Sequence, residues 1–153
     1  DGVKLLIAGY GDMVDEIIEL SNHFPNKVEF LGKIKYVEVI KNGIKSDLFF
    51  VLRDSTLPSH KCICGSTLFN AMICSKPILV NKDTSTATKV LKEDCGLVVD
   101  ARNIEEIKDA IIQLKDDYNL SRQFGLNGNI AYKTKYGWGI MENRLINLYK
   151  KLI

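Results

Sequence analysis

No apolar run in this sequence approaches the about 20 residues that a helix needs to cross a bilayer. No signal peptide is visible, although the chain begins at Asp1 rather than Met, and an upstream segment is expected. Neither sign of charge dominates: 21 Lys and Arg against 19 Asp and Glu leave a net charge of only +2. Electrostatic binding to nucleic acid is therefore excluded as the chain's business. Cysteines are few. Cys62, Cys64, Cys74 and Cys95 form no CxxC pair and read as reduced thiols in a cytoplasmic protein. Cys74 and Cys95 are expected to be buried as small apolar residues. Cys62, Cys64 and His60 lack a fourth ligand at zinc spacing, so no metal site is expected. There are no repeats, no low-complexity stretches and no internal linker. What remains is an ordinary globular composition, with 153 residues and 46% hydrophobic, enough for one domain with a good core.

Along the chain, apolar runs too short for helices alternate with amphipathic stretches. Val3–Ala8, Val28–Leu31, Leu48–Leu52, Ile78–Val80 and Gly96–Val99 read as strands. Met13–His23, Tyr36–Lys45, Thr84–Lys92, Ile104–Leu114, about Leu120–Lys133 and Gly139–Leu152 read as helices. Asp83 or Thr84 is the candidate cap of one, and Asn103 with Glu106 three residues on has capping-box spacing. Arg53–Cys64 reads as a long loop. Such alternation predicts one five-stranded parallel sheet with helices on both faces, a Rossmann-like three-layer α/β/α arrangement. Sheets of this kind bind ligands at the carboxyl ends of their strands.

Two stretches carry chemistry. Gly9-Tyr10-Gly11 lies between a strand and a helix, as a dinucleotide fingerprint would, but Val14 stands at the third glycine position and no acid follows the second strand. A tight turn, a turn lining another ligand cleft and NAD binding all remain open there. The second stretch is CGSTLFNAMICSKPILVN, Cys64–Asn81. A Gly-Ser turn opens an apolar helix, and Lys76-Pro77 ends it and starts a strand. The N-terminus of that helix is a natural anion site. Asn70 lies one turn beyond Ser66, and helical side chains lean towards the N-terminus, so Asn70 is expected at the same opening as the amides of Ser66 and Thr67. Ser66 is also a candidate N-cap. Leu68, Phe69 and Met72 are expected to face the core.

Gly65–Pro77 resembles the signature of the nucleotide-sugar-binding C-terminal domain of retaining, family-4-type glycosyltransferases of the GT-B fold (glycosyl transferases group 1). Leu68-Phe69, Ala71-Met72 and Lys76-Pro77 match its pattern. The likeness extends over nearly all the chain. LLIAGYGD (Leu5–Asp12), VEFLGKI (Val28–Ile34), Asp47–Val51, CGLVVD (Cys95–Asp100), the Ile104–Leu114 helix and the tail Lys135–Tyr149 are each similar to a family element in the family's order. Two polar positions depart from it. Asn70 stands where the family has an acid that binds both ribose hydroxyls, and Thr67 where it has a lysine near the diphosphate. Cys62 stands at the first acid of the family's E-x7-E pair.

The resemblance implies the donor half of an enzyme that moves a sugar from a nucleoside diphosphate sugar, UDP- or GDP-linked, to an acceptor with retention and without a metal or other cofactor. Gly9, Gly11, Gly65, Ser66 and Thr67 would hold diphosphate or sugar, Asn70 would face the ribose, and the backbone of Gly32, Lys33 and Ile34 would meet the base. His60 and Lys61 are loop candidates for neutralising charge. The resemblance implies a hexosyltransferase of polysaccharide or glycolipid biosynthesis, cytoplasmic, with peripheral association at the inner face of the membrane. The acceptor, a glycan or glycolipid, would be bound by an N-terminal domain lying outside this chain, as would the domain's first strand. This stretch alone is then expected to be inactive. A rival implication is a non-catalytic binding or regulatory domain of the same fold. In the family the absent strand lies between the counterparts of Val3–Ala8 and Leu48–Leu52. Both segments are apolar enough to be buried on both faces; without that strand either they close up and pair directly, the outcome favoured here, or the gap is filled by a partner chain or by upstream residues.

Overall fold

The computed structural model describes residues 2–53 and 57–152. Strands and helices alternate and every strand pair is parallel, so the chain is an α/β protein as its pattern predicts. The strands form two sheets, however, not one of five. β1 (Leu5–Ile7) pairs with β2 (Val28–Phe30), Leu5 opposite Val28. β3 (Phe49–Val51), β4 (Ile78–Asn81) and β5 (Gly96–Val99) form the second sheet in that order. The expected closure of residues 4–8 onto 48–52 does not occur: among the described residues no backbone hydrogen bond joins them. The physical reason lies in burial. Leu6 is 37% and Phe50 46% exposed, so each strand turns one face to water and its apolar composition does not force a second pairing.

The chain divides into two compact units, Asp1–Asn42 and Gly43–Ile153. In the first, α1 (Val14–His23) covers the two-stranded sheet with a half-buried Val14, Ile17 and Ser21, and the Ser21 hydroxyl donates to the Val28 carbonyl at 3.2 Å. α2 (Tyr36–Lys45) has the bounds read from its pattern, and the division between the units falls within it.

The second unit carries the main core. Ile78 and Val80 of β4 face one way and Leu79 the other, the alternation of a pleated strand. Ile78 and Val80 pack with Leu68 and Met72 of α4 (Ser66–Ile73), Val90 of α5 (Ser85–Glu93) and Ala131 of α7 (Tyr118–Ala131). Leu79 packs with Val99 of β5 and Ala110 of α6 (Ile104–Asp116). Helices thus cover both faces of this sheet. Leu68, Ile78 and Val90 have no exposed surface, and burial of each stabilises the fold by about 1.5–3 kcal/mol. Two expected caps form: Thr84 Oγ1 accepts from Ala87 N at 3.1 Å, and Asn103 Oδ1 from Glu106 N at 3.2 Å.

The segment expected to be one long loop contains a short helix, α3 (Pro58–Cys62), with proline near its start, where its missing N–H costs nothing. A five-residue π-helical turn, Tyr132–Tyr136, follows α7, and α8 (Trp138–Lys150) ends the described fold. All four cysteines are free, with Cys74 and Cys95 buried. Desolvation pushes both thiols up, Cys95 to about 12, which keeps them protonated.

Candidate functional site

The predicted site residues fall in two groups, one in each unit. Gly9, Gly11, Gly32, Lys33 and Ile34 come together at the carboxyl end of the β1–β2 sheet. Gly9 N donates to Gly32 O at 2.9 Å, which joins the two turns. Gly32 has φ +62, a left-handed conformation that a side chain would strain. A Cβ added to Gly9, Gly11 or Gly32 would meet nothing within 4 Å, so these backbones border open space. Lys33 Nζ stands 5.0 Å from the centre of the Tyr10 ring. Beside the turn lies an open cavity of about 280 Å³, lined by Gly9, Tyr10, Gly11, Met13, Ile17 and Phe30 among others.

Gly65, Ser66, Thr67 and Asn70 lie at the start of α4. The N-cap is Gly65, extended at φ −73 and ψ 164, and as a glycine it has no side chain with which to bond this helix end. Ser66 is therefore the first helical residue and not the cap. The cap residue itself therefore offers no side-chain oxygen to the positive end of the helix dipole. Asn70 is 8% exposed, one turn into the helix. Leu68 and Met72 are fully buried and Phe69 half-buried, as their spacing predicts.

The rest of the unit fixes this helix end in place. Thr86 Oγ1 donates to Ile63 O at 3.0 Å and holds the chain entering α4. At the other end Asn129 Nδ2 donates to the carbonyls of Met72 at 3.1 Å and Ile73 at 3.4 Å. α7 comes this close because Gly125 faces the turn after α4: a Cβ there would lie 2.1 Å from Ser75 O.

One residue at this end escaped the sequence reading. Arg53 follows β3 at its carboxyl end. A Cβ placed on Gly65 would stand 3.3 Å from Arg53 Nη2, so the guanidinium lies against the cap of α4. Arg53 N donates to Oδ1 of Asn81, which is 2% exposed. Among the described residues no carboxylate pairs with the Arg53 side chain. Its neighbours on the same sheet edge are paired. Asp100 accepts from Arg102 N and from Lys82, which together hold it at about 2, and Lys82 is raised in turn. Arg53 thus brings a cation to a helix end that is already positive, an arrangement that favours an anion between them. Position was the available signal: a cation directly after a strand of a parallel sheet.

His60 and Lys61 sit in the last turn of α3 rather than in a loop. Among the described residues no three His, Cys, Asp or Glu side chains converge as a metal-ligand group, and no helix is long and apolar enough to cross a membrane.

Comparison with known proteins places this geometry. The model of the family "Glycosyl transferases group 1" matches residues 1–130. The chain is 25% identical over 148 residues to a GDP-mannose-dependent monoacylated alpha-(1-6)-phosphatidylinositol monomannoside mannosyltransferase of Corynebacterium glutamicum, covering 95% of this chain and 38% of that protein. Its fold is similar to that of sucrose-phosphate synthase from Thermosynechococcus elongatus, with a TM-score of 0.81 and 22% identity, over 97% of this chain and 38% of the other. It is also similar to Anabaena HepE, solved in complex with UDP, with a TM-score of 0.78 and 18% identity over 97% and 41% of the two chains. The chain spans little more than a third of the length of the curated relatives it matches.

Proposed function

Since this chain belongs to the glycosyl transferases group 1 family, we propose that it is the donor-binding half of a glycosyltransferase, moving a hexosyl group from a UDP- or GDP-sugar to an acceptor glycan or glycolipid. The observation that carries the reading is the convergence of Arg53 with the glycine-capped N-terminus of α4. In the transfer, the bond from C1 of the sugar to the diphosphate oxygen breaks with its electron pair going to the diphosphate. C1 then bonds the acceptor oxygen, and the acceptor's proton is released. Negative charge grows on the departing diphosphate, where a guanidinium and helix amides stabilise it most. Gly65, Ser66 and Thr67 offer those amides, and Asn70 lies one turn along for the ribose. What the family resemblance implies for the turns of the other unit is that Gly9 and Gly11 would border the sugar or diphosphate, and Gly32, Lys33 and Ile34 the base. Protein cations then do what a metal would otherwise do, and the stereochemistry is retention, as in the family the sequence resembles. The acceptor is held by the part of the enzyme outside this stretch. One half cannot hold both reactants, so the stretch alone transfers no sugar. A glycan or glycolipid acceptor fits work in the cytoplasm at the inner face of the membrane.

Asn70 and Thr67 favour a second reading, a domain of the same fold that binds without catalysing. An amide offers the ribose one neutral acceptor where a carboxylate would offer two charged ones. Calorimetric titration with UDP, GDP and NAD separates the readings. Binding of UDP or GDP is expected. Binding of no nucleotide supports the second reading, and binding of NAD alone overturns both.

A further inference from the structure

The π-helical turn Tyr132–Tyr136 closes with Gly137 N donating to Tyr132 O at 2.7 Å. Such turns are rare and often lie at functional sites. Here two side chains of the turn meet one group. Glu93 ends α5, and its side chain is only 3% exposed. It accepts from Tyr136 Oη at 2.8 Å and from Lys135 Nζ. Burial alone would push its carboxyl up, but these two donors outweigh that and hold it below the usual range, so Glu93 stays an anion. Burial and Glu93 push the Tyr136 phenol up to about 12, so it stays a donor. The Tyr136 ring packs on Phe69, with centroids 5.6 Å apart and planes at 55°. Phe69 stands in the chain between Leu68, which has no exposed surface, and the largely buried Asn70.

We propose that Tyr136 is a positioning residue for the ligand-facing end of α4: anchored on Glu93, its ring fixes Phe69 and so the rotation of the helix that presents Gly65–Asn70. The proposal takes that helix end as the donor site from the reading above. Leu68 packs inward, and the side towards the π turn is held by the aromatic pair. A phenol tied to a buried anion cannot slide along the Phe69 ring, so the helix is set in angle as well as in depth.

The test is hydrogen exchange by mass spectrometry on the ligand-free chain, with Tyr136→Phe and, as a second variant, Phe69→Leu. Amides of Asn70–Ile73 close on the carbonyls of Ser66–Phe69 and report on that end of α4. Their exchange is expected to rise about tenfold or more in Tyr136→Phe, the loss of one hydrogen bond to a charged group, while α6 is unchanged. UDP or GDP affinity is expected to fall by a similar factor. Unchanged exchange in α4, or an equal rise in α6, overturns the proposal, since a merely structural role would loosen the whole core. The exchange is read without ligand, so it decides the proposal whether or not a nucleotide binds. Absence of nucleotide binding to the unsubstituted chain counts against the donor reading alone.

Discussion

Arg53 donates its backbone N–H to Asn81 Oδ1 at 3.0 Å, linking the carboxyl ends of β3 and β4 through a side chain that is 2% exposed. The amide nitrogen of Asn81 in turn donates to Lys82 O at 3.2 Å. Asn81→Ala removes the acceptor and is expected to cost about 1–3 kcal/mol of unfolding free energy, measured by urea denaturation. Because the same bond sets where the Arg53 side chain departs from the sheet, nucleotide affinity is expected to fall with it.

Arg53→Gln separates charge from scaffold. UDP or GDP affinity is expected to drop about tenfold on loss of a charge-assisted contact, while the affinity for uridine or guanosine is unchanged. Raising the salt concentration should weaken diphosphate binding to the unsubstituted chain and narrow the gap to Arg53→Gln. Equal losses for nucleotide and nucleoside would place Arg53 away from the phosphates.

Asn70→Glu is expected to tighten binding of a nucleoside diphosphate, and Thr67→Lys to add to it, each by about threefold to tenfold. Asn70 is nine-tenths buried, so a carboxylate there also lowers stability in the ligand-free chain. Calorimetry on the three proteins, with a melting curve for each, reads both effects. Binding unchanged in both variants would mean that this helix end does not meet ribose and diphosphate.

Two glycines make an internal comparison. A Cβ on Gly96 would lie 1.9 Å from the backbone oxygen of Ile78, so Gly96→Ala must part β5 from β4; a loss of about 3 kcal/mol or more is expected. A Cβ on Gly139, within α8, meets nothing within 4 Å, and Gly139→Ala is expected to be neutral or to stabilise by up to about 1 kcal/mol. Thermal melting ranks the two.

The Glu93 carboxyl is held below its usual value of 4.5 in the folded chain. A depressed acid contributes stability that is fully present above about pH 4.5 and is lost as pH falls through the folded value. The stability difference between the unsubstituted chain and Glu93→Gln is therefore expected to be constant near neutrality and to shrink in acid. Urea titrations at pH 7, 5 and 3 check the sign.

Much of the fold was legible because the signals were local. Tyr36–Lys45 and Gly96–Val99 show their period or apolar run within their own bounds, and Asn103 and Thr84 cap through side chains that reach only three residues. Strand pairing is not local. Val3–Ala8 and Leu48–Leu52 looked alike as apolar runs, and nothing in either shows which neighbour each would bond or that Leu6 and Phe50 would face water. Arg53–Cys64 reads as a loop, whereas its proline, Pro58, stands near the first position of a helix and helps to start it. The π turn has no composition of its own. For the site, the turn at Gly9–Gly11 and the start of α4 were visible as glycine beside a helix. Arg53 was not, because its importance lies in a neighbour twelve residues on, which only the tertiary path reveals.

The parallel pairing has a kinetic side. Phe49 stands opposite Ile78 and Ile78 opposite Gly96, so each pair can form only after the helical connection between its strands, α3 and α4 in the first case and α5 in the second, has swung back across the sheet. Among the described residues no hairpin exists to start the process. β4, shared by both pairs, is the last segment that can form alone and the first that rewards two closures at once. The chain should therefore refold slowly for its size, with α4, β4 and α5 assembling together as the step that limits the rate.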